Sequence, residues 1–256
     1  MNIIMPKDQN PDIRISVAMA TYNGEKYLSE QLESILRCLD ANDEIVISDD
    51  GSSDNTISII KQYAERDKRI KLFDGPHAGV VKNFGNALAN CRGSYIFLSD
   101  QDDVWHKDKV EVVLPQLTEN ILVCHNADIF NSITGEYEGD IQSKIGKKTS
   151  VSKNIIKNSF IGCCMAFRRE LSEYATPFPD ERSIHIHDWW LGLIALKVGN
   201  VRFEEKSLID YRIHESNTLG LKKTTFGFKI KKRINMIRAL RRYFGARNKK
   251  SSEPNS

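Results

Sequence analysis

Two carboxylates one residue apart, Asp100 and Asp102, lie in the stretch Ser99-Asp100-Gln101-Asp102-Asp103. Carboxylates at that spacing beyond a strand end can offer oxygen ligands to a hard divalent cation such as Mg²⁺ or Mn²⁺, which in turn bridges phosphate oxygens. An Asp-rich turn explains the same residues equally well. In Asp49-Asp50-Gly51-Ser52-Ser53-Asp54, Ser53 or Asp54 can cap a helix, which leaves the Asp50 carboxylate over to read a base or ribose edge. Thr21-Tyr22-Asn23-Gly24 is either a plain connection or a loop whose ring stacks on a base while small polar groups hydrogen-bond a nucleotide. His187-Asp188-Trp189-Trp190 sets a carboxylate beside two indoles. That is a helix N-cap or, the reading favoured here, a general base beside aromatic walls for a sugar. Tyr211-Arg212-Ile213-His214, followed by Asn217 and Gly220, adds an Arg and a His whose chemistry spacing alone does not assign.

The elements that must position these residues alternate. Residues 13–20 form a buried apolar run, and 26–39 carry Leu28, Leu32, Ile35 and Leu39 on one helical face. Strand 45–48, a helix from Ser53 or Asp54 to Arg66, strand 70–73, helix 79–90 and strand 94–98 follow. This β-α-β-α order predicts an α/β fold, a mostly parallel sheet flanked by helices, with ligands in the crevice beyond the carboxyl ends of the strands. The Thr21, Asp50 and Asp100 stretches all stand at such ends. Further on, 121–130 reads as a strand, 131–151 as a mobile loop, 160–168 as a strand, 187–196 as a helix start and 201–212 as extended.

A chain of 256 residues accommodates one large domain with an appendage. With 40% hydrophobic and 28% charged residues it falls outside the fibrous and disordered classes. No apolar run approaches the roughly 18 residues that span a bilayer, and residues 1–12 lack a secretory signal, so a cytoplasmic location is expected. Five cysteines without a Cys-x-x-Cys pair argue against a disulfide framework or a structural zinc, and predict reduced, mostly buried thiols. From residue 221 onward there are 12 Lys/Arg and one acidic residue, against 25 basic and 33 acidic before it. The organisation expected is therefore a domain over 1–220 and a basic helical tail over 221–256.

In this order the fragments resemble family 2 glycosyltransferases of the GT-A fold, a Rossmann-like sheet flanked by helices. The matching pieces are the first strand with Thr21-Tyr22-Asn23-Gly24, then Ile45 to Asp54, then Tyr95 to Asp103. Ser99 to Trp105, with His187-Asp188-Trp189-Trp190 and Tyr211 to His214, is most similar to the bacterial rhamnosyltransferase-like members. The resemblance implies inverting transfer of a sugar, rhamnose first among candidates, from a dTDP- or UDP-sugar to a glycan or lipid-linked acceptor in surface polysaccharide synthesis. It implies that Thr21, Tyr22, Asn23, Asp50, Lys82 and Asp100 hold the nucleotide. Asp100, Asp102 and His214 would hold Mn²⁺ or Mg²⁺, Asp188 would be the base, and Asp103, Trp105, Trp189 and Trp190 would face sugar or acceptor. The family more often has Glu where His187 stands. A catalytically silent nucleotide- or glycan-binding module that kept the fold is the competing reading, against which the presence of Asp50, Asp100, Asp102 and Asp188 argues.

In the tail, Phe226, Ile230, Ile234, Ile237, Leu240 and Phe244 recur at helical spacing, flanked by Lys229, Lys231, Lys232, Arg233, Arg238, Arg241 and Arg242. Such a helix either lies in an anionic membrane surface, on the inner face of the plasma membrane, or docks on the body through its apolar stripe. A nucleic-acid role is not expected, since no binding module accompanies the charge.

Overall fold

The computed structural model describes residues 14–214 and 225–252. Strands β1 (Ile15–Thr21), β2 (Glu44–Asp49), β3 (Ile70–Asp74) and β4 (Tyr95–Ser99) alternate with helices α1 (Leu28–Leu36), α2 (Thr56–Arg66) and α3 (Val80–Asn90). Both faces of this part of the sheet are covered, so β1 and β2 are buried almost throughout and read as near-continuous apolar runs. The helices bury one stripe each: Leu28, Leu32 and Ile35 from α1, and Val81, Phe84, Ala87 and Leu88 from α3. All pairings among the four strands are parallel. Thr21, Asp49 and Asp74 fall in one register, so the carboxyl ends make a common rim. Helix α2 starts at Thr56, later than expected, because Asp54 turns its carboxylate onto the Thr56 N–H and hydroxyl.

The second half departs further from expectation. It comprises β5 (Val104–Trp105), α4 (Lys109–Val113), β6 (Leu122–Asn131), β7 (Glu136–Asp140), α5 (Ile141–Ile145), α6 (Val151–Ile156), β8 (Met165–Arg168), α7 (Arg169–Ala175), α8 (Glu181–Ile184), α9 (His187–Val198), β9 (Val201–Ile213) and α10 (Phe226–Ser252). The sheet runs β3-β2-β1-β4-β8-β6-β9-β5, with β7 hairpinned on β6. Because β8 enters antiparallel between β4 and β6, the sheet is mixed: its first four strands are parallel, β6 and β9 pair in parallel again, and β5, β7 and β8 join antiparallel. The segment 131–151 is no loose loop: it holds β7 and α5, and Asp140 and Ser150 cap α5 and α6 by accepting from the N–H groups of Ser143 and Lys153. Extended structure in 160–168 begins only at Met165, after a 3-10 turn at Gly162–Cys164.

One short pairing carries the site. β5 joins β9 antiparallel, Val104 opposite Asp210 and Trp105 opposite Ile209. The acidic turn before β5 is thereby laid against the end of β9, which bears Arg212 and His214.

Helix α10 docks on the body by a face that shares only the C-terminal end of its apolar stripe. Met236, Ala239 and Leu240 are buried, and Tyr243 meets the Trp190 ring edge-on, 5.4 Å between centroids. Of the stripe residues whose side chains are described, only Leu240 is buried. All five cysteines are free thiols, four of them buried. Asn217 and Gly220 lie outside the described residues.

Candidate active site

The rim at the carboxyl ends of the strands is held together mainly by Asp49. Its Oδ1 accepts from the N–H groups of Gly51 and Ser52, and its Oδ2 from the hydroxyls of Ser52 and Thr21. Thr21 is therefore buried, with its hydroxyl bonded to Asp49. Asn23 sits at φ 48°, a conformation Asn tolerates, and clamps the next loop: its amide oxygen accepts from Ser53 N–H at 2.8 Å. Tyr22 is 58% exposed, with its backbone fixed by the Gln101 amide on both sides. Its ring is thus presented outward on a rigid turn. The Asp50 carboxylate is not left over: its oxygens accept from Ala78 N–H (3.1 Å) and Gly79 N–H (2.8 Å), fixing the entry to α3. Lys82, exposed, stands in the first turn of that helix.

At the acidic turn, Asp102 Oδ2 lies 2.8 Å from His214 Nε2. Arg212 ties this contact to three elements. Its N–H donates to Asp103 Oδ1 (3.1 Å), its Nε to the Asp102 carbonyl (2.8 Å) and its Nη2 to Glu30 Oε2 on α1 (2.5 Å). The guanidinium also lies 4.7 Å from the centre of the Tyr27 ring, which in turn packs 4.7 Å from the His214 ring. Asn23, Lys26, Tyr27, Asp102 and His214 line a cavity of about 380 Å³ here. Asp100 turns the other way: its carboxylate, that of Asp103 and the Cys163 thiol bring ligand atoms within 4.8 Å of one another. Burial, and then the charges of Asp103, Asp102 and Asp188, push the Asp100 carboxyl well above its ordinary value. Burial and Asp102 push Asp103 up to about 7, and Asp103 Oδ2 is buried without a partner.

Behind this turn sits Asp188, second residue of α9. It is 6% exposed; Oδ2 accepts from Gly162 N–H at 3.2 Å, and Oδ1 is buried without a partner. Burial raises its carboxyl to about 7, against the opposing hydrogen bonds from the N–H groups of Trp189 and Gly162. The Gly162–Cys164 turn thus meets Asp188 at one residue and Asp100 at the next. That turn is pinned from below by Lys109, fully buried, whose ammonium donates to the Cys163 carbonyl (3.0 Å) and lies 3.8 Å from the centre of the Trp105 ring. His187 stacks on Phe84 at 3.9 Å, and burial pushes it down to about 3. It is a neutral packing residue beside the carboxylate.

The aromatic residues expected at sugar or acceptor are core residues. Trp105 and Trp190 are 2% and 0% exposed; Trp189 and Trp190 donate their Nε1–H to the carbonyls of Asn154 and Ala175. The polar ends of Trp189 and Trp190 are satisfied internally and Trp105 Nε1 is buried without a partner; with all three indoles buried, none presents an open wall. Asp103 is likewise buried, turned onto the β9 backbone. Arg212, Gln101 and Asp49 lie inside the motifs the sequence singles out, but nothing local assigns them their positioning roles, and Lys109 was passed over, although a lysine in the apolar register of α4 was an available signal. His106, Asp128 and Asp210 also approach within 4.8 Å, but the His106 ring there is engaged by the Ser207 carbonyl (3.1 Å) and Asp210 (3.0 Å).

Comparison with known proteins adds the following. The model for "Glycosyl transferase family 2" matches residues 16–175. The chain is 30% identical over 237 residues to the dTDP-rhamnosyl transferase RfbG of Shigella flexneri, covering 86% of this chain and 79% of that protein. It is 29% identical over 215 residues to an Escherichia coli protein, the UDP-Glc:alpha-D-GlcNAc-diphosphoundecaprenol beta-1,3-glucosyltransferase WfgD, covering 80% and 79%. Among solved structures, S. aureus TarS 1-349 in complex with UDP-GlcNAc superposes with a TM-score of 0.66 at 22% identity, covering 83% of this chain and 62% of that one. The shared architecture is the GT-A fold, a mixed sheet flanked by helices.

Proposed function

The chain belongs to glycosyl transferase family 2, and from that membership we propose that it moves a sugar, with inversion, from a nucleoside diphosphate to a hydroxyl of a glycan acceptor in surface polysaccharide synthesis. The two relatives differ in donor, one named for dTDP-rhamnose and one for UDP-glucose, so dTDP-rhamnose is the first donor to test and UDP-sugars the second. The second relative's acceptor is carried on diphosphoundecaprenol, which makes a lipid-linked acceptor the working choice.

The observation that carries this reading is the Gly162–Cys164 turn, which sets Asp188 beside the acidic turn with one carboxylate oxygen free of any partner. Asp188 Oδ1 is the atom that takes the acceptor proton as the hydroxyl attacks the anomeric carbon. Its basicity comes from burial: a carboxyl titrating near 7 is a far stronger base than a solvated one, yet is ionised over half the molecules at neutral pH. Gly162 N–H holds the other oxygen and fixes the direction of attack. Tyr22, exposed on its rigid turn, offers a face to the base, and Lys82 a charge to the nucleotide.

Two donor groups flank the acidic turn: Asp102 with His214, an oxygen and a nitrogen in contact at the cavity, and, turned the other way, the carboxylates of Asp100 and Asp103 with the Cys163 thiol. The first pair, open to the cavity, fits a divalent cation. A bound Mn²⁺ or Mg²⁺ would supply positive charge to the leaving diphosphate. A silent binding module would leave the buried Asp188 oxygen without a use.

The test is a thermal-shift screen of dTDP-rhamnose, UDP-glucose and UDP-GlcNAc with and without Mn²⁺, followed by the anomeric configuration of the product. One nucleotide class should raise Tm, further with metal, and Asp102→Ala should remove the metal-dependent part. Equal shifts for all nucleotides, or a retained anomeric configuration, would sink the reading.

A further inference from the structure

Helix α10 carries two apolar faces where a docked helix needs one. It is anchored by Met236, Ala239 and Leu240 together with Tyr243, whose hydroxyl donates to the Tyr174 carbonyl. These positions recur at steps of three and four and so share one face. Ile230 and Ile234 are also four apart, but lie roughly a quarter turn or more from that face. They remain 40% and 42% exposed. Docking thus takes up only the C-terminal end of the stripe, Leu240 and Phe244, and leaves its isoleucines at 230 and 234 outside.

What surrounds the two isoleucines is positive. Lys231, Arg238, Arg241 and Arg242 are exposed on the same outward side, and α10 contains no Asp or Glu. Ile156, 66% exposed at the end of α6, lies alongside, because Arg233 reaches across to its carbonyl (Nη2 to O 2.6 Å). Lys153 and Lys157, both exposed, flank Ile156 in turn. An apolar ridge bordered by cations on a helix too charged to cross a bilayer is the pattern of a helix lying in a headgroup layer. Cations there gain from anionic lipid, and isoleucines gain by leaving water. A soluble acidic protein would satisfy the charges but would have to match an open, two-residue-wide apolar ridge; a fluid surface does not need shape complementarity.

We propose that the outward face of α10, with Ile230, Ile234 and Ile156 as its apolar ridge and Lys231, Arg238, Arg241 and Arg242 as its charged border, is a docking surface for an anionic lipid bilayer. The proposal does not depend on which sugar is transferred, and its test needs no substrate.

The full chain is floated with vesicles of phosphatidylcholine alone and of an equimolar mixture of phosphatidylcholine and phosphatidylglycerol, at low and high salt. It should float with the mixed vesicles only and be released by salt. The double variant Ile230→Ser/Ile234→Ser should partition about tenfold less, as should the charge reversal Arg238→Glu/Arg241→Glu. Phe228→Ser, on the opposite side of the helix, should float like the parent, and unchanged Tm in all variants shows that docking on the body is intact. No flotation of the parent, equal flotation with both vesicle types, or undiminished flotation of Ile230→Ser/Ile234→Ser overturns the proposal. So does binding to a single-stranded oligonucleotide without binding to vesicles, which would make the face a general polyanion site.

Discussion

Replacing Asp188 with Asn should slow the enzyme and stabilise the protein, and the second effect should depend on pH. The carboxyl titrates near 7 in the folded chain against 3.8 ordinarily, because it is nearly sealed from water, a cost that the N–H groups of Trp189 and Gly162 offset only in part. A folded-state value raised in this way contributes stability that is complete below about pH 4 and is lost as pH rises through about 7. At roughly 1.36 kcal/mol per pH unit, the gap amounts to at most about 4 kcal/mol above pH 7. Asn does not titrate, so the variant escapes this loss. Melting curves of both proteins from pH 5 to pH 8 should diverge, the variant gaining over the parent as pH rises. Turnover of the parent should climb through about pH 7 and level off, and turnover of the variant should be lower by about 10²- to 10⁴-fold with donor affinity unchanged. A pH-independent difference in Tm would refute the burial argument, and near-parental turnover would refute the assignment of the base.

Two further outcomes follow from the same geometry. Arg212→Ala should destabilise the chain by about 1–2 kcal/mol, since it removes the bonds to the Asp102 carbonyl and to the largely exposed Glu30 while the backbone bond to Asp103 stays, and it should weaken Mn²⁺ binding measured by titration calorimetry with nucleotide present. Arg212→Lys, unable to span the Asp102 carbonyl and Glu30 together, should recover only part of either, and full recovery would show that charge alone matters. Trp190→Ala should cost about 3–5 kcal/mol in chemical denaturation while leaving KM for the donor unchanged in the folded fraction; a raised KM with unaltered stability would return Trp190 to the sugar site.

The first four strands and their helices were legible because each is a local signal: an apolar run covered on both faces, or an apolar stripe at helical spacing, closed by Gly, Asn or Asp. The carboxylates at the strand ends were legible for the same reason. What the chain does not write locally is partnership. β5 is two residues long and exists only through β9, and β8 enters the sheet antiparallel from a segment with no distinctive period. Whether a polar group is spent is equally hidden: Thr21 and Asp50 carry the right chemistry, but Asp49 and the entry to α3 engage them. The tryptophans were a different matter. Leu191 to Ala195 continue the apolar character of α9 all round, which marks a buried helix, and that signal outweighs a carboxylate beside two rings.

The pairing of β5 with β9 has a consequence for the order in which the protein becomes competent. Asp100 and Asp102 emerge from the ribosome early, with the rim at the strand ends, but Arg212 and His214 are translated more than a hundred residues later and must return to the same turn. A nascent chain holding only the first half therefore carries the acidic turn without the Arg212 and His214 contacts that fix it. The long-range closure orders the assembly: the turn acquires its finished geometry only after the whole domain has been made.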